Sequence, residues 1–138
     1  MYDLERIGKA VADIEKYLKE LEGYKISSIS SLEDSKTYNA SSMLILAILN
    51  RAIDLGADIL SAENLGAPAT YQDILPMLSK SGFMNKKEAD NLNNLIKKRN
   101  IFAHYYGDLT EKEVFNTIGE IGQIRLFVDK VKKRVSGS

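Results

Sequence analysis

The chain contains no cysteine and no tryptophan, and only two prolines and one histidine among its 138 residues. Without cysteine there is no disulfide, thiolate zinc site, iron–sulfur cluster or cysteine nucleophile. A single histidine argues against a protein metal site as well. Charge of one sign is also missing, since 19 Lys and Arg balance 19 Asp and Glu. Nucleic acid could therefore be held only by a local basic patch and not by bulk charge. Long apolar runs are absent too. The longest is the seven residues from Met43 to Leu49, too few to span a bilayer, and Asp3, Glu5 and Glu15 fall where a signal peptide would be apolar. No segment reads as a P-loop or a dinucleotide-binding turn. These absences lead to the expectation of a cytoplasmic protein with no membrane association, no metal and no cofactor.

What is present points to one helical domain over residues 1–138. The 44% hydrophobic and 28% charged residues suit a single soluble core. Leu4, Ile7, Val11, Ile14, Leu18 and Leu21 recur at spacings of three and four and predict a first helix ending at Gly23. A polar, serine-rich connector follows. Tyr38, Met43, Leu46, Leu49, Ile53 and Leu60 predict a second helix from about Ser35 to Glu63, apolar all round at its centre. Small residues at Ser42, Ala52 and Gly56 would let a neighbour approach it closely. Beyond Gly66 and Pro68, Thr70 with Asp73 reads as a cap opening a short helix that contains Pro76 and stops at Gly82. Asn85 with Glu88 caps a third long helix, carrying Leu92, Leu95, Ile96, Phe102 and Ala103 and stopped by Gly107. Thr110 with Glu113 caps a last one, striped by Val114, Ile118, Ile121, Ile124, Val128 and Val131. The expected fold is all-α, an antiparallel four-helix bundle with an additional short helix.

Two basic clusters, Lys86, Lys87, Lys97, Lys98 with Arg99, and Lys130, Lys132, Lys133 with Arg134, read first as solvated helix faces. Asp54 and Asp58 share a helix face, and an acidic face paired with Arg51 is the expected arrangement. Chemistry concentrates instead in KKRNIFAHYYG, which holds Arg99, Asn100, His104, Tyr105 and Tyr106. On a straight helix Arg99 and His104 are about 140° apart, and Tyr106 returns to within about 20° of Arg99. Arg99 emerges beside the apolar stripe, where a cation is costly unless it meets an anion, a carboxylate or a partner chain.

These residue types suit metal-independent RNA cleavage, in which a ribose 2′-hydroxyl attacks its own phosphate. His104 can take or give a proton near neutral pH. Arg99 offers a planar fork matched to phosphate oxygens. Asn100 could orient the imidazole, and Tyr106 could hold phosphate or be modified. One histidine serves poorly as both base and acid, and a two-fold dimer would bring two into one site, so a homodimer is expected. The plainer reading makes His104 a helix-dipole partner and the two tyrosines packing residues.

Arg99, Asn100, then His104 with Tyr106 two residues on, resembles the arginine–polar–spacer–histidine signature of the HEPN superfamily. The histidine-any-tyrosine ending resembles its HepT branch, the toxin half of HepT/MntA (HEPN/MNT) toxin-antitoxin pairs. The resemblance extends along the whole chain and implies a HEPN-like helical bundle. It further implies that Arg99 and His104 form the catalytic pair of a ribonuclease toxin of a type VII-like pair, supported by Asn100. Tyr106 would be the acceptor onto which a cognate MntA-like nucleotidyltransferase antitoxin transfers AMP. Dimerisation would line a shared, RNA-cleaving cleft with both motifs. HEPN domains also occur as inactive binding modules, which leaves the alternative of a catalytically silent helical dimer that partners a nucleotidyltransferase.

Overall fold

The computed structural model describes residues 1–104 and 106–137, with the backbone alone at position 106. Among the described residues there are seven α-helices and no strand: α1 (Leu4–Gly23), α2 (Ser35–Ala62), α3 (Ile74–Lys80), α4 (Lys86–Ile96), α5 (Arg99–His104), α6 (Glu111–Glu120) and α7 (Gln123–Ser136). Short 3-10 turns cover Ile29–Leu32, Tyr71–Asp73 and Tyr106–Asp108. No helix of the described residues is long and apolar enough to cross a membrane.

Helix ends follow local chemistry. The Asp3 carboxylate accepts the Arg6 N–H at 3.1 Å to start α1, and Asp34 accepts from Thr37 at 3.0 Å to start α2. At α4, Asn85 and Glu88 exchange bonds of 2.8 and 3.1 Å. At α6, Thr110 and Glu113 do the same at 3.2 Å each. Asp73 accepts from the N–H groups of Ala69 and Thr70 at 3.0 Å each, closing the turn that leads into α3. Pro76 is the third residue of α3, inside the first turn, where no intrahelical donor is required.

Ion pairs reveal how the long helices run. Arg6 meets Asp58 and Arg51 meets Asp13, so positions rising along α1 meet positions falling along α2. Lys132 with Glu15 and Arg125 with Glu22 establish the same antiparallel relation between α7 and α1. Helix α2 packs against α1, α3, α5, α6 and α7 and is the axis of the bundle. One connected core includes Ile14, Ile45, Leu49, Leu55, Leu95, Val114 and Phe127, where each fully buried aliphatic or aromatic side chain contributes about 1.5–3 kcal/mol.

Three details depart from the sequence expectations. The buried face of α2 is Ile45, Ile48, Leu49, Ala52, Leu55, Ile59 and Leu60, while Met43 is 69% exposed and Leu46 and Ile53 are only half-buried. A run that is apolar on every side carries no phase of its own, and the neighbouring helices choose it. The expected helix from Leu92 to Tyr106 is broken at Lys97 and Lys98. There the Lys98 N–H bonds the Leu95 carbonyl at 3.1 Å, a 3-10 tightening, before Phe102 returns to Lys98 at 3.1 Å. The final helix is likewise divided at Ile121 and Gly122, where Ile121 bonds Ile118 at 3.3 Å and Arg125 bonds Gly122 at 3.0 Å. Six helical segments, α1, α2, α4 with α5, and α6 with α7, thus do the work of the four long helices expected, with the bundle architecture preserved.

Candidate active site

Arg99 opens α5, immediately after the Lys97–Lys98 turn. The turn is anchored, because the Lys98 ammonium pairs with Glu120 at 3.1 Å and the Tyr71 hydroxyl reaches the Lys97 carbonyl at 3.4 Å. The Arg99 side chain runs back to α2. Its Nε donates to Oδ1 of Asn50 at 2.9 Å, and one terminal nitrogen donates to Oδ1 of Asn100 at 3.0 Å. The guanidinium carbon lies 5.8 Å from the centroid of the Tyr71 ring, within cation–π range. This group borders a groove of about 550 Å³ lined by Tyr17, Ala47, Asn50, Arg51, Ile53, Asp54, Tyr71 and Arg99.

Charge inside the groove is unevenly compensated. Arg51 is paired twice, with Asp54 at 2.9 Å and Asp13 at 3.2 Å. Arg6, Arg125 and Arg134 meet Asp58, Glu22 and Glu63. Arg99 is the one arginine of the chain's five that, among the described residues, has no carboxylate partner. Amide oxygens orient it instead, and they leave its charge in place. A guanidinium carries five N–H donors, so terminal donors remain for a phosphate or carboxylate arriving in the groove.

Of the residues singled out in the sequence, Arg99 and Asn100 are brought into direct contact. His104 is exposed and lies outside the described residues that line the groove. Within one chain the arginine and histidine are therefore not gathered into the same groove, in keeping with their separation on α5. Tyr106 falls in the 3-10 turn Tyr106–Asp108, so the 20° relation expected on a continuous α-helix does not carry over. Tyr105 and the Tyr106 side chain lie outside the described residues. The loop just beyond is pinned, with the Leu109 carbonyl accepting from the Tyr38 hydroxyl of α2 at 2.6 Å.

The other candidates resolve into structural roles. Lys130 meets Glu88, Lys132 meets Glu15 and Arg134 meets Glu63, so carboxylates take up most of the second basic cluster, while in the first Lys86 meets Asp90 and Lys98 meets Glu120. Asp54 pairs with Arg51 as expected, but Asp58 faces Arg6 instead, at 3.3 Å. That contact lacks hydrogen-bond geometry and leaves Oδ2 of Asp58 buried without a donor. Burial pushes the Asp58 carboxyl above its usual range, with Arg6 opposing and Asp54 and Asp3 adding to the rise. Among the described residues no three His, Asp or Glu side chains gather as a metal ligand set. Sequence reasoning missed Asn50 and the part played by Tyr71. An amide at the end of the apolar run Met43 to Leu49, directly before Arg51, was the available signal for Asn50.

The chain is thus an antiparallel helical bundle whose Arg99, with no carboxylate partner among the described residues, borders a groove against α2. The Ribonuclease HepT-like family profile matches residues 2–131. The chain belongs to the HepT-like ribonuclease family. Solved structures share the fold at low identity. The tri-AMPylated HEPN toxin of Shewanella oneidensis, in complex with MNT antitoxin, aligns with a TM-score of 0.84 at 21% identity, over 96% of this chain and 98% of that one. A toxin-antitoxin structure with AMP-PNP aligns with a TM-score of 0.84 at 20% identity, over 93% and 98%. YutE from Bacillus subtilis, a cytosolic protein of unknown function, gives 0.84 at 20% identity, over 99% and 94%. No curated protein sequence matches this chain.

Proposed function

We propose that this protein is the toxin of a type VII-like toxin-antitoxin pair, a metal-independent endoribonuclease acting in the cytoplasm and silenced by AMPylation of Tyr106. The observation that carries the reading is Arg99, oriented by two neutral amide oxygens and with no carboxylate partner among the described residues. Family membership and the toxin-antitoxin structures that share the fold support it.

In this mechanism a base removes the proton of a ribose 2′-hydroxyl, whose oxygen attacks the adjacent phosphorus. The P–O5′ bond breaks as an acid protonates the departing 5′-oxygen, leaving a 2′,3′-cyclic phosphate. His104 serves as the acid–base residue. Arg99, held by Asn100, stabilises the charge that grows on the phosphoryl oxygens. One histidine serves poorly as both base and acid, and a symmetric homodimer would supply a second. Apolar surface beside the site supports such pairing: Met43, two turns from Asn50 on the same face of α2, is 69% exposed, and Ile101 of α5 is 43% exposed.

Control follows from the same place. A cognate nucleotidyltransferase would transfer AMP from ATP to the Tyr106 phenol, releasing pyrophosphate and adding a bulky anionic phosphate just beyond α5 that would compete with RNA at the motif. Inducible expression in bacteria tests the reading. Growth arrest is expected, with loss of intact RNA, and His104→Ala should abolish both. Arrest that persists in His104→Ala, or no RNA cleavage by the wild-type protein, would favour a silent partner of the nucleotidyltransferase.

A further inference from the structure

Asn50 carries an unusual duty for a residue in the most apolar helix of the chain. It closes the apolar run Met43 to Leu49 and is followed by Arg51, and its amide oxygen accepts the Nε proton of an arginine 49 positions later. Nε is the inner donor of the guanidinium, so a bond there fixes the direction of the side chain while leaving the terminal nitrogens to other partners. Asn100 accepts from one of those terminal nitrogens, and the Tyr71 ring lies within cation–π range of the guanidinium.

The chemical type of the acceptor matters as much as its place. Every other arginine of the chain is oriented by a carboxylate. An aspartate at position 50 would make the same hydrogen bond and would also pair with the charge. An asparagine orients the guanidinium without neutralising it. We infer that Asn50 is a positioning residue, which fixes Arg99 through a neutral acceptor and so preserves its positive charge for the substrate phosphate. The inference rests on the ribonuclease reading of Arg99 and names what on α2 makes that arginine effective.

Two isosteric substitutions separate the parts of the proposal. Asn50→Leu removes the acceptor, whereas Asn50→Asp retains it and adds charge. The readouts are cleavage of a mixed-sequence RNA oligonucleotide and the Nε–Hε signal of Arg99 in ¹⁵N-labelled protein, assigned by its loss in Arg99→Ala. In wild type the Hε proton should exchange slowly with solvent. Asn50→Leu should speed that exchange and lower kcat on the order of tenfold or more, as expected when a catalytic group loses its alignment. Asn50→Asp should keep the slow exchange and the folded spectrum, yet lose cleavage by a comparable factor, because the arginine is now paired. A structural role alone would leave Asn50→Asp fully active, and that result would overturn the proposal. So would an Arg99 Hε signal indifferent to Asn50→Leu. In the Arg99→Ala background, Asn50→Leu should cost nothing further. If Arg99→Ala itself cleaves as fast as wild type, the ribonuclease reading fails instead, and the Hε exchange still decides whether Asn50 holds the arginine.

Discussion

Ile74 packs onto Gly56 so closely that a Cβ built on the glycine would lie 2.5 Å from the isoleucine Cγ2. This contact lets α3 lie against α2, and it seats Tyr71, three residues before Ile74, where its ring meets Arg99. Gly56→Ala gains about 1 kcal/mol of helix propensity but forces Ile74, buried at 2% exposure, to move within a packed core at a cost of about 1–3 kcal/mol. Net destabilisation of about 1 kcal/mol is expected in urea unfolding, together with slower RNA cleavage. An alanine variant more stable than wild type would contradict the close approach.

Arg99→Ala and His104→Ala should both keep the fold, since neither side chain belongs to the core. Each should lower RNA cleavage on the order of a hundredfold or more. Cleavage should be unaffected by EDTA and should leave cyclic-phosphate ends, measurable by mass spectrometry of a short RNA product. Complete inhibition by EDTA with recovery on adding a divalent metal would contradict the mechanism.

Incubation with the cognate nucleotidyltransferase and ATP should add AMP to Tyr106 and not to Tyr105. Peptide mapping of the added mass locates the adduct. Tyr106→Phe should remain toxic in the presence of the antitoxin, and an adduct on Tyr105 would contradict the assignment.

Asp58→Asn should raise stability at neutral pH. Burial holds the folded Asp58 carboxyl above its unfolded value, so between the two values the folded state binds more protons and stability falls as pH rises. Above the folded value the penalty is complete, and the asparagine removes it. Thermal melts of the two proteins should therefore separate at pH 7 and converge below the ordinary carboxylate range. A variant less stable at pH 7 would mean that the Arg6 pair outweighs burial.

Glu63 should act in the opposite sense. Burial raises its carboxyl, but the hydrogen bonds from Arg134 and Tyr2 outweigh burial and hold it below its usual range. Its contribution is thus present above the unfolded value and lost as pH falls through the folded one. Glu63→Gln should lower the melting temperature at pH 7 and change it little under strongly acidic conditions.

The sequence by itself determined what local chemistry controls. The three-and-four spacing from Leu4 to Leu21 defined α1, and Asn85 with Glu88 and Thr110 with Glu113 placed helix starts, because each signal involves residues within one turn of each other. Arg99, Asn100, His104 and Tyr106 were visible as a motif for the same reason. Only the tertiary structure decided which face of the apolar α2 is buried, since Ile45 and Leu46 are equally hydrophobic and the packing helices make the choice. It also decided that the chain tightens at Lys97 and Lys98, where Glu120 and Tyr71 hold the turn from distant segments. The partner of Arg99 is the clearest case. Asn50 and Arg99 are 49 positions apart, and no periodicity in a single helix connects them. Their hydrogen bond exists because α5 docks on α2, which is a property of the bundle as a whole.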